Sequence, residues 1–482
     1  MPTARTTPRT SSQGGDATAR WRNRTTLGIG AALVWFLAVL MIGDIGGLTV
    51  PSSRMLAIFG AAVALWVSEA IPLSATSIMV ILAQILMISD EALLTLPASF
   101  DPPTYESIYA TLASPILMLF LGGFVLADAA AKYGLDRNLA GVLLRPFGTR
   151  PAALLGGLML ITALLSMFVS NTATTAAMMA VVLPVTAGLD SGDRFRIALL
   201  LAVPVAANVG GLGTPVGSPP NAIALGRLDD QGLQVDFITW MALAVPISLL
   251  LLAAAWWLLV RRYPPSTAAV SIRLGGAFDR SRPALILYVA FGLTVVGWMT
   301  EPIHGVRSSI VGFAPVVVLL ATRVFTVDDL RRLNWHILWL VGGGIALGNG
   351  VSSTGLDEWL VDRFDWGSMP PLWLMVAMAV LALALSTVIS NSATANLLAP
   401  VGISLALSTA VDLDPLLAGV LIAMACSLAM ALPVSTPPNA VAYASGAIES
   451  KDMAVVGLLV GGLGLVLVVF VMPPIWRAVG LL

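Results

Sequence analysis

Charged residues are scarce in this chain. Asp, Glu, Lys and Arg make up 11% of its 482 residues, whereas an ordinary soluble domain contains about 25%. Hydrophobic residues make up 58%. Because so few charged residues cannot cover so large a hydrophobic core in water, the composition predicts an integral membrane protein. The near balance of 25 basic and 26 acidic residues also argues against nucleic-acid binding, which needs a basic surface.

Reactive and metal-binding side chains are equally few. The single cysteine, Cys426, excludes an internal disulfide and a cysteine-based zinc site. The two histidines, His304 and His336, are too far apart in sequence to suggest a metal site. Residues 152–189, 371–411 and 415–448 contain no Asp, Glu, Lys, Arg or His. These segments therefore lack both a proton relay and a general base, and we expect neither enzymatic activity nor a cofactor.

Long apolar runs define the topology, because a spanning helix needs about 20 apolar residues. Eleven complete spans are placed near residues 27–47, 54–73, 75–90, 112–132, 196–226, 240–260, 283–301, 306–323, 336–355, 416–446 and 453–475. Two further apolar stretches, 152–187 and 371–410, are each interrupted by polar residues, and we interpret them as re-entrant hairpins.

The distribution of basic residues supports this topology and orients it. Residues 1–25 are polar and rich in Thr, Ser and Arg, which predicts a disordered tail. With this tail in the cytoplasm, most basic residues fall in cytoplasmic segments, as the positive-inside rule requires. The C-terminus then lies on the extracytoplasmic side. The expected membrane is a plasma membrane, such as a bacterial inner membrane. The basic residues left outside are Arg54, Arg227, Arg307, Arg363 and Arg477.

The chain contains an internal repeat at an offset of about 220 residues. Residues 116–136 match 337–357, the sequence SNTAT at 170–174 matches SNSAT at 390–394, and SPPNA at 218–222 matches TPPNA at 436–440. Each repeat contains five predicted crossings. Because this number is odd, the two copies have opposite orientations. Inverted repeats with interrupted helices are typical of secondary transporters.

The repeated polar segments have the chemistry of an ion site. Pro219-Pro220 and Pro437-Pro438 remove amide donors and predict unwound helices, whose carbonyls become available to a cation. Asn, Ser and Thr add oxygen ligands of the kind that small cations prefer. Where the helix resumes, free amides and the positive end of the helix dipole suit an anion.

These motifs resemble those of the divalent anion/sodium symporter family, which includes dicarboxylate, citrate and sulfate transporters. The resemblance covers about residues 27 to 476 and depends on SNTATTAAMM, SNSATANLLAP, GSPPNAIA and STPPNAVA. It implies a first sodium site at Ser166, Ser170, Asn171 and the backbone of Gly217, and a second at Ser386, Ser390, Asn391 and the backbone of Ser435. It implies an anion site formed by Asn171, Thr172, Ser218, Asn391, Ser392 and Thr436. Ser392 departs from the usual Thr of the family, which affects substrate choice more than mechanism.

The resemblance also implies a homodimer in which a transport part moves like an elevator against a rigid scaffold. Segments 133–150 and 356–368 are then linking arms on opposite membrane faces. The expected division is a tail (1–25), the first span with the scaffold part of repeat 1 (26–150), the transport part of repeat 1 (151–260), a cytoplasmic loop with the scaffold part of repeat 2 (261–370), and the transport part of repeat 2 (371–482).

We therefore expect sodium-coupled import of a small divalent anion. A C4-dicarboxylate is favoured over sulfate, because two half-sites without Arg or Lys suit a ligand with an acceptor group at each end. Sodium-independent anion exchange and sulfate transport remain alternatives. An ion antiporter or an oxyacid efflux permease of related architecture is a less favoured alternative, and the absence of acidic residues in the core argues against ion exchange. A gated channel would not need paired inverted hairpins, and a membrane enzyme would need catalytic groups.

Overall fold

The computed structural model describes residues 13–42, 45–190, 192–270, 278–363, 369–408 and 411–481. All regular secondary structure in these residues is helical, which confirms the predicted all-α class. Within the described residues, eight helical segments are long and apolar enough to cross a membrane, and five further apolar helices are shorter.

The first half of the chain forms eleven α-helices. They are α1 (Gln13–Ile42), α2 (Val50–Ser68), α3 (Leu73–Ile88), α4 (Tyr105–Ala110), α5 (Pro115–Lys132), α6 (Leu135–Leu144), α7 (Pro151–Phe168), α8 (Asn171–Ala187), α9 (Phe195–Gly211), α10 (Pro219–Asp230) and α11 (Phe237–Arg262).

The second half repeats this order. Its helices are α12 (Arg282–Met299), α13 (Glu301–His304), α14 (Ser308–Ala321), α15 (Val327–Arg331), α16 (Trp335–Ser353), α17 (Leu356–Asp362), α18 (Pro371–Val388), α19 (Asn391–Leu407), α20 (Pro415–Ser427), α21 (Pro437–Tyr443), α22 (Ser450–Val466) and α23 (Met472–Ala478). A π-helical turn, Leu467–Val471, joins the last two.

The N-terminal segment differs from the sequence expectation. Helix α1 begins at Gln13, so it extends into the segment 1–25 for which the composition predicts disorder. Once a spanning helix is nucleated, each added residue gains a backbone hydrogen bond at little further cost, and this propagation outweighs the polar composition. Residues 1–12 lie outside the described part of the chain.

Close glycine contacts join helices of the two repeats. A Cβ on Gly122 of α5 would lie 1.8 Å from the Gly312 carbonyl oxygen of α14. A Cβ on Gly343 of α16 would lie 2.3 Å from the Ser77 side chain of α3. Gly122 and Gly343 occupy matching positions in the repeat. Helices α5 and α16 therefore each pack against a helix of the other repeat, through a glycine at the same position.

The largest core lies between the two hairpin regions. It combines buried residues of α7–α11 with those of α18–α23, and it also includes buried residues of α5, α6 and α16. At its centre, nearly every residue of α9 and every residue of α20 from Leu417 onward is buried. Helices that are apolar on all sides are stable only when surrounded by protein or lipid. The polar repeat segments therefore pack against these two buried helices.

The helix breaks fall where the repeated motifs predict them. Val169 and Ser170 separate α7 from α8, and Ile389 and Ser390 separate α18 from α19, so each pair forms a helical hairpin. Whether both hairpins are re-entrant stays a prediction. The longer breaks, 212–218 and 428–436, precede the Pro-Pro pairs, which occupy the first turns of α10 and α21. The prolines thus begin the second half-helices, a position where their missing amide has no cost.

Candidate functional site

A cluster of three oxygen atoms lies beneath the tip of the first hairpin. The fully buried hydroxyl Oγ of Ser166 on α7 lies 2.5 Å from Oδ1 of Asn171 on α8. The same Oγ lies 2.8 Å from the carbonyl oxygen of Ala207 on α9. The two-residue break turns the chain back on itself, and this brings Ser166 and Asn171 together.

The second hairpin carries a matching cluster. The fully buried Oγ of Ser386 on α18 lies 2.7 Å from Oδ1 of Asn391 on α19 and 2.8 Å from the carbonyl oxygen of Cys426 on α20. The same three kinds of oxygen recur in both repeats, although Ala207 and Cys426 differ in side chain. The duplication thus concerns backbone geometry as well as side chains.

Each cluster has more acceptors than protons. A serine hydroxyl has one proton, whereas an amide oxygen and a carbonyl oxygen only accept. One proton cannot satisfy two acceptors fully, so lone pairs remain directed towards one another in a buried site. A small hard cation such as sodium satisfies such a set of neutral oxygens. Both clusters therefore have the donor chemistry of a cation site.

Hydroxyl groups hold each unwound segment against a hairpin tip. In repeat 1, the Thr214 hydroxyl donates a short hydrogen bond to the Met167 carbonyl. In repeat 2, Ser435 Oγ donates to the Thr387 carbonyl at 3.1 Å. Met167 and Thr387 occupy matching positions in the repeat. The side chain of the predicted site residue Ser435 therefore contacts the residue that follows Ser386.

Two close contacts place Gly217 near the first oxygen cluster. A Cβ on Gly211 would lie 2.4 Å from Nδ2 of Asn171, and a Cβ on Gly217 would lie 2.6 Å from the Gly211 carbonyl oxygen. The chain therefore needs glycine at both positions for the unwound segment to approach the hairpin tip. Asn171 and Gly217 therefore both lie close to Gly211, and their joint role in a sodium site stays a prediction.

The asparagine of each Pro-Pro-Asn motif has a role that the sequence interpretation missed. Nδ2 of Asn221 donates to the carbonyl oxygens of Gly211 and Thr214 at 3.0 and 2.8 Å. Nδ2 of Asn439 donates to two carbonyls of the second break, 2.8 Å from Met430 and 3.0 Å from Leu432. We expected carbonyls of the unwound segments to be available to a cation, but these are already occupied. Side-chain amides satisfy them because buried carbonyls without partners are costly.

The two halves of the site meet through hydrogen bonds between repeats. Nδ2 of Asn208, in the last turn of α9, donates to Oγ1 of Thr436 at 3.1 Å and to Oδ1 of Asn439 at 3.0 Å. Oγ of Ser427, in the last turn of α20, lies 3.1 Å from Oγ of Ser218. Asn208 and Ser427 match in the repeat, so each half supports the predicted anion-binding hydroxyl of the other. Neither residue was identified from the sequence.

The remaining predicted site residues lie at the first turns of the two second hairpin helices. Thr172 and Ser392 are half-buried there, beside the asparagines of the oxygen clusters. Ser390 Oγ accepts a hydrogen bond from Ala393 N at 3.2 Å, whereas Ser170 makes no capping bond with its side chain. The first turns of α8 and α19 thus expose backbone amides close to the oxygen clusters.

The topology prediction placed Arg227, which is buried in the structure, outside the membrane. Arg227 on α10 is only 2% exposed. Its guanidinium donates to Asn349 Oδ1 at 3.3 Å and makes a short hydrogen bond to Ser352 Oγ, both on α16. It also donates to Ser404 Oγ of α19 at 3.2 Å. Hydropathy could not identify this role, because the partners come from helices distant in sequence.

An aspartate outside the spans anchors the segment that follows α11. Asp193 lies between α8 and α9 and is 3% exposed. Burial by itself favours the neutral carboxyl, but hydrogen bonds from Phe195 N at 2.9 Å and from Ser266 and Thr267 outweigh it. They hold the pKa of Asp193 below its ordinary value. Asp193 therefore remains ionised at neutral pH.

The inverted helical repeats, paired hairpins and duplicated oxygen clusters define a secondary transporter of the membrane. Residues 24–482 match the family model described as the sodium:sulfate symporter transmembrane region. The chain belongs to this divalent anion/sodium symporter family, as the motifs indicated. The family assignment also confirms that the protein is a multi-pass membrane transporter and not an enzyme.

Named relatives and solved structures agree with this assignment. The chain is 31% identical over 457 residues to the sodium-dependent dicarboxylate transporter SdcS of Staphylococcus saprophyticus, covering 85% of this chain and 84% of that protein. It is 30% identical over 450 residues to SdcS of Staphylococcus aureus strain USA300, with the same coverage.

Two solved transporters share the fold at low sequence identity. The YdaH transporter of Alcanivorax borkumensis aligns with 85% of this chain and 99% of its own, at a TM-score of 0.57 and 14% identity. MtrF of Neisseria gonorrhoeae, described among antimetabolite efflux pumps, aligns with 91% of this chain and 96% of its own, at a TM-score of 0.53 and 10% identity. At such identities the likeness concerns the fold alone.

Proposed function

We propose that this protein imports a small divalent anion, with a C4-dicarboxylate as the preferred substrate, and that sodium ions drive the uptake. The observation that carries the proposal is the pair of buried oxygen clusters at Ser166 and Ser386, each with one proton for two acceptors. The relatives whose names include sodium and dicarboxylate support both parts of the proposal.

We assign one sodium ion to each cluster. The first ion is bound by Ser166, Ser170, Asn171 and the backbone at Gly217, and the second by Ser386, Ser390, Asn391 and the backbone at Ser435. The carbonyls of Ala207 and Cys426 are further ligands by their position. All these ligands are neutral, so a bound ion keeps its full positive charge within the site.

This charge explains how an anion binds without a basic side chain. No Arg or Lys occurs in the hairpin and break segments, so a bidentate guanidinium contact is excluded there. Two sodium ions and the amides at the first turns of α8 and α19 instead supply the positive field. The anion then contacts Asn171, Thr172, Ser218, Asn391, Ser392 and Thr436.

The substrate preference follows from the two-fold arrangement of this site. Each half offers an asparagine amide and hydroxyl groups, which suits a carboxylate at each end of a C4 chain. Sulfate is the second candidate, because the description of the matching family names sulfate. It is compact and would have to engage both halves through one centre.

An elevator movement accounts for an asymmetry between the repeats. Asn396 on α19 is fully buried and donates Nδ2 to the Leu340 carbonyl of α16 at 2.9 Å. Its repeat partner on α8, Ala176, is exposed. We infer that the second hairpin is covered by the scaffold while the first is open towards the predicted cytoplasmic side. In the opposite state the two hairpins exchange these environments.

The remaining architectural proposals follow the same division. We assign residues 151–260 and 371–482 to the transport part and residues 26–150 and 261–370 to the scaffold, with the segments 133–150 and 356–368 as arms between them. The N-terminus is cytoplasmic, the C-terminus is extracytoplasmic, and the working unit is a homodimer. Cysteine accessibility and chemical cross-linking in native membranes test these assignments.

Uptake by purified protein in liposomes tests the function. We expect labelled succinate to accumulate only with an inward sodium gradient, with a Hill coefficient for sodium above one. Excess malate and fumarate should inhibit this uptake, whereas sulfate should not. Succinate uptake that ignores sodium but responds to internal dicarboxylate would replace symport with exchange. Sulfate uptake without succinate uptake would assign the second candidate.

A further inference from the structure

The hydroxyl of Thr436 has no free acceptor position. Its Oγ1 accepts from Asn208 Nδ2 at 3.1 Å and from the backbone N of Asn439 at 3.3 Å. A hydroxyl has two acceptor lone pairs and one proton. With both lone pairs engaged, the only hydrogen bond that Thr436 can still make is one that it donates.

The direction of these hydrogen bonds is fixed by the backbone. Asn439 Nδ2 donates to the carbonyls of Met430 and Leu432, so its Oδ1 points the other way and needs a donor. Asn208 Nδ2 is that donor, at 3.0 Å. The two protons of Asn208 Nδ2 are then used by Asn439 Oδ1 and Thr436 Oγ1. All three side chains are at most 4% exposed, so water does not compete freely for these bonds.

Repeat 1 has no matching set of bonds. Repeat 2 carries Ser427 at the position that matches Asn208. Ser427 and Ser218 share a hydrogen bond in which either hydroxyl can be the donor. Oδ1 of Asn221, the counterpart of Asn439, is buried without a hydrogen-bond partner among the described residues. Ser218 makes no side-chain capping bond. Beside its bond with Ser427, the Ser218 hydroxyl can therefore either donate to a substrate group or accept from one.

We propose that Asn208 is a positioning residue that sets the specificity of the anion site. By holding the Thr436 hydroxyl as an obligate donor, Asn208 favours at that end an ionised carboxylate, which only accepts, over a group such as a carboxamide, whose N–H protons find no acceptor on Thr436. The end at Ser218 accepts either an acceptor or a group that carries a proton, such as a carboxamide. The proposal rests on the proposed function, because it takes Thr436 and Ser218 as substrate contacts.

The test measures selectivity as well as affinity. Liposomes with the full-length protein take up labelled succinate at saturating sodium, with unlabelled succinate or its monoamide, succinamate, as competitor. Asn208→Ser introduces the residue found at the matching position of repeat 2 and lets Thr436 accept as well as donate. We expect at least a threefold fall in the preference for succinate over succinamate, with the half-saturating sodium concentration within twofold of wild type.

A second variant reverses the polarity without changing the shape. In Asn208→Asp, a carboxylate accepts the Thr436 proton and places negative charge beside the anion. We expect the half-saturating succinate concentration to rise more than tenfold. The control is Ser248→Ala, which removes a buried hydrogen bond of 3.1 Å to the Val209 carbonyl, one residue from Asn208. It should leave the succinate to succinamate ratio within twofold of wild type.

The outcomes separate the inference from the function on which it rests. If wild-type protein takes up neither succinate nor sulfate, the proposed function fails and the assignment of Asn208 fails with it. If wild type transports succinate but Asn208→Ser leaves both the ratio and the half-saturating succinate concentration within twofold, the inference alone is overturned. It is also overturned if Ser248→Ala shifts the ratio as much, because Asn208 would then act only through local packing.

Discussion

Removing the hydroxyl of Ser166 tests the first sodium site most directly. With sodium bound, the Ser166→Ala change removes one ligand oxygen from a buried cation, and a hydrogen bond or similar contact to a charged group is worth about 2 kcal/mol. Without sodium it removes one hydrogen bond between neutral groups, worth about 1 kcal/mol. The difference of about 1 kcal/mol predicts a roughly fivefold rise in the half-saturating sodium concentration.

The assay is sodium-dependent succinate uptake in liposomes at saturating succinate. Thr162→Val is the matched control, because Thr162 lies one turn earlier on α7, is fully buried, and donates to the Leu158 carbonyl of its own helix at 2.6 Å. It removes a buried hydroxyl without touching the oxygen cluster. Ser386→Ala should behave like Ser166→Ala.

Two results would refute this reasoning. One is an unchanged sodium dependence in Ser166→Ala at normal protein levels, which would remove the hydroxyl from the cation site. The other is an equal shift in Thr162→Val, which would attribute the effect to general loosening of the hairpin. A larger change in the half-saturating succinate concentration than in that of sodium would instead move Ser166 from the cation to the anion.

Three further predictions concern charge. Asn171→Asp and Asn391→Asp should each abolish anion uptake while folded protein remains in the membrane, because a carboxylate repels the anion; wild-type uptake by either variant would exclude that residue from the site. Arg227→Met should destabilise the protein by about 1–3 kcal/mol, because it leaves the buried oxygens of Asn349, Ser352 and Ser404 without their donor. Arg331, whose side chain is 76% exposed, is the control, and Arg331→Met should change the melting temperature little. Equal melting temperatures for the two variants would contradict this. The lowered pKa of Asp193 means that its carboxylate contributes stability above its unfolded-state pKa of about 3.9, and that this stability is lost as the pH falls through the lower folded-state pKa. Asp193→Asn should therefore lower the melting temperature at pH 7 but not at the acidic end, and a loss that does not depend on pH would count against the ionised form.

The class of protein and the positions of its polar segments can be predicted from the amino-acid sequence. Long hydrophobic runs and few charged residues indicate a membrane protein, because so apolar a surface is stable in lipid and not in water. The repeat locates the hairpin tips and helix breaks, since Ser-Asn and Pro-Pro-Asn each have strong local preferences. Ser166 and Asn171, five residues apart, meet because a two-residue break allows only a tight reversal of the helix.

Which oxygens and charges come together across the repeats depends on how the helices pack. The carbonyls of Ala207 and Cys426 are ordinary helix positions in the sequence, and they join the clusters only because α9 and α20 pack behind the hairpin tips. Asn208 reaches Thr436, and Arg227 reaches Ser352, over sequence separations that no local pattern encodes. Buried polar groups must find partners wherever the fold brings them, so these contacts follow from packing and not from periodicity.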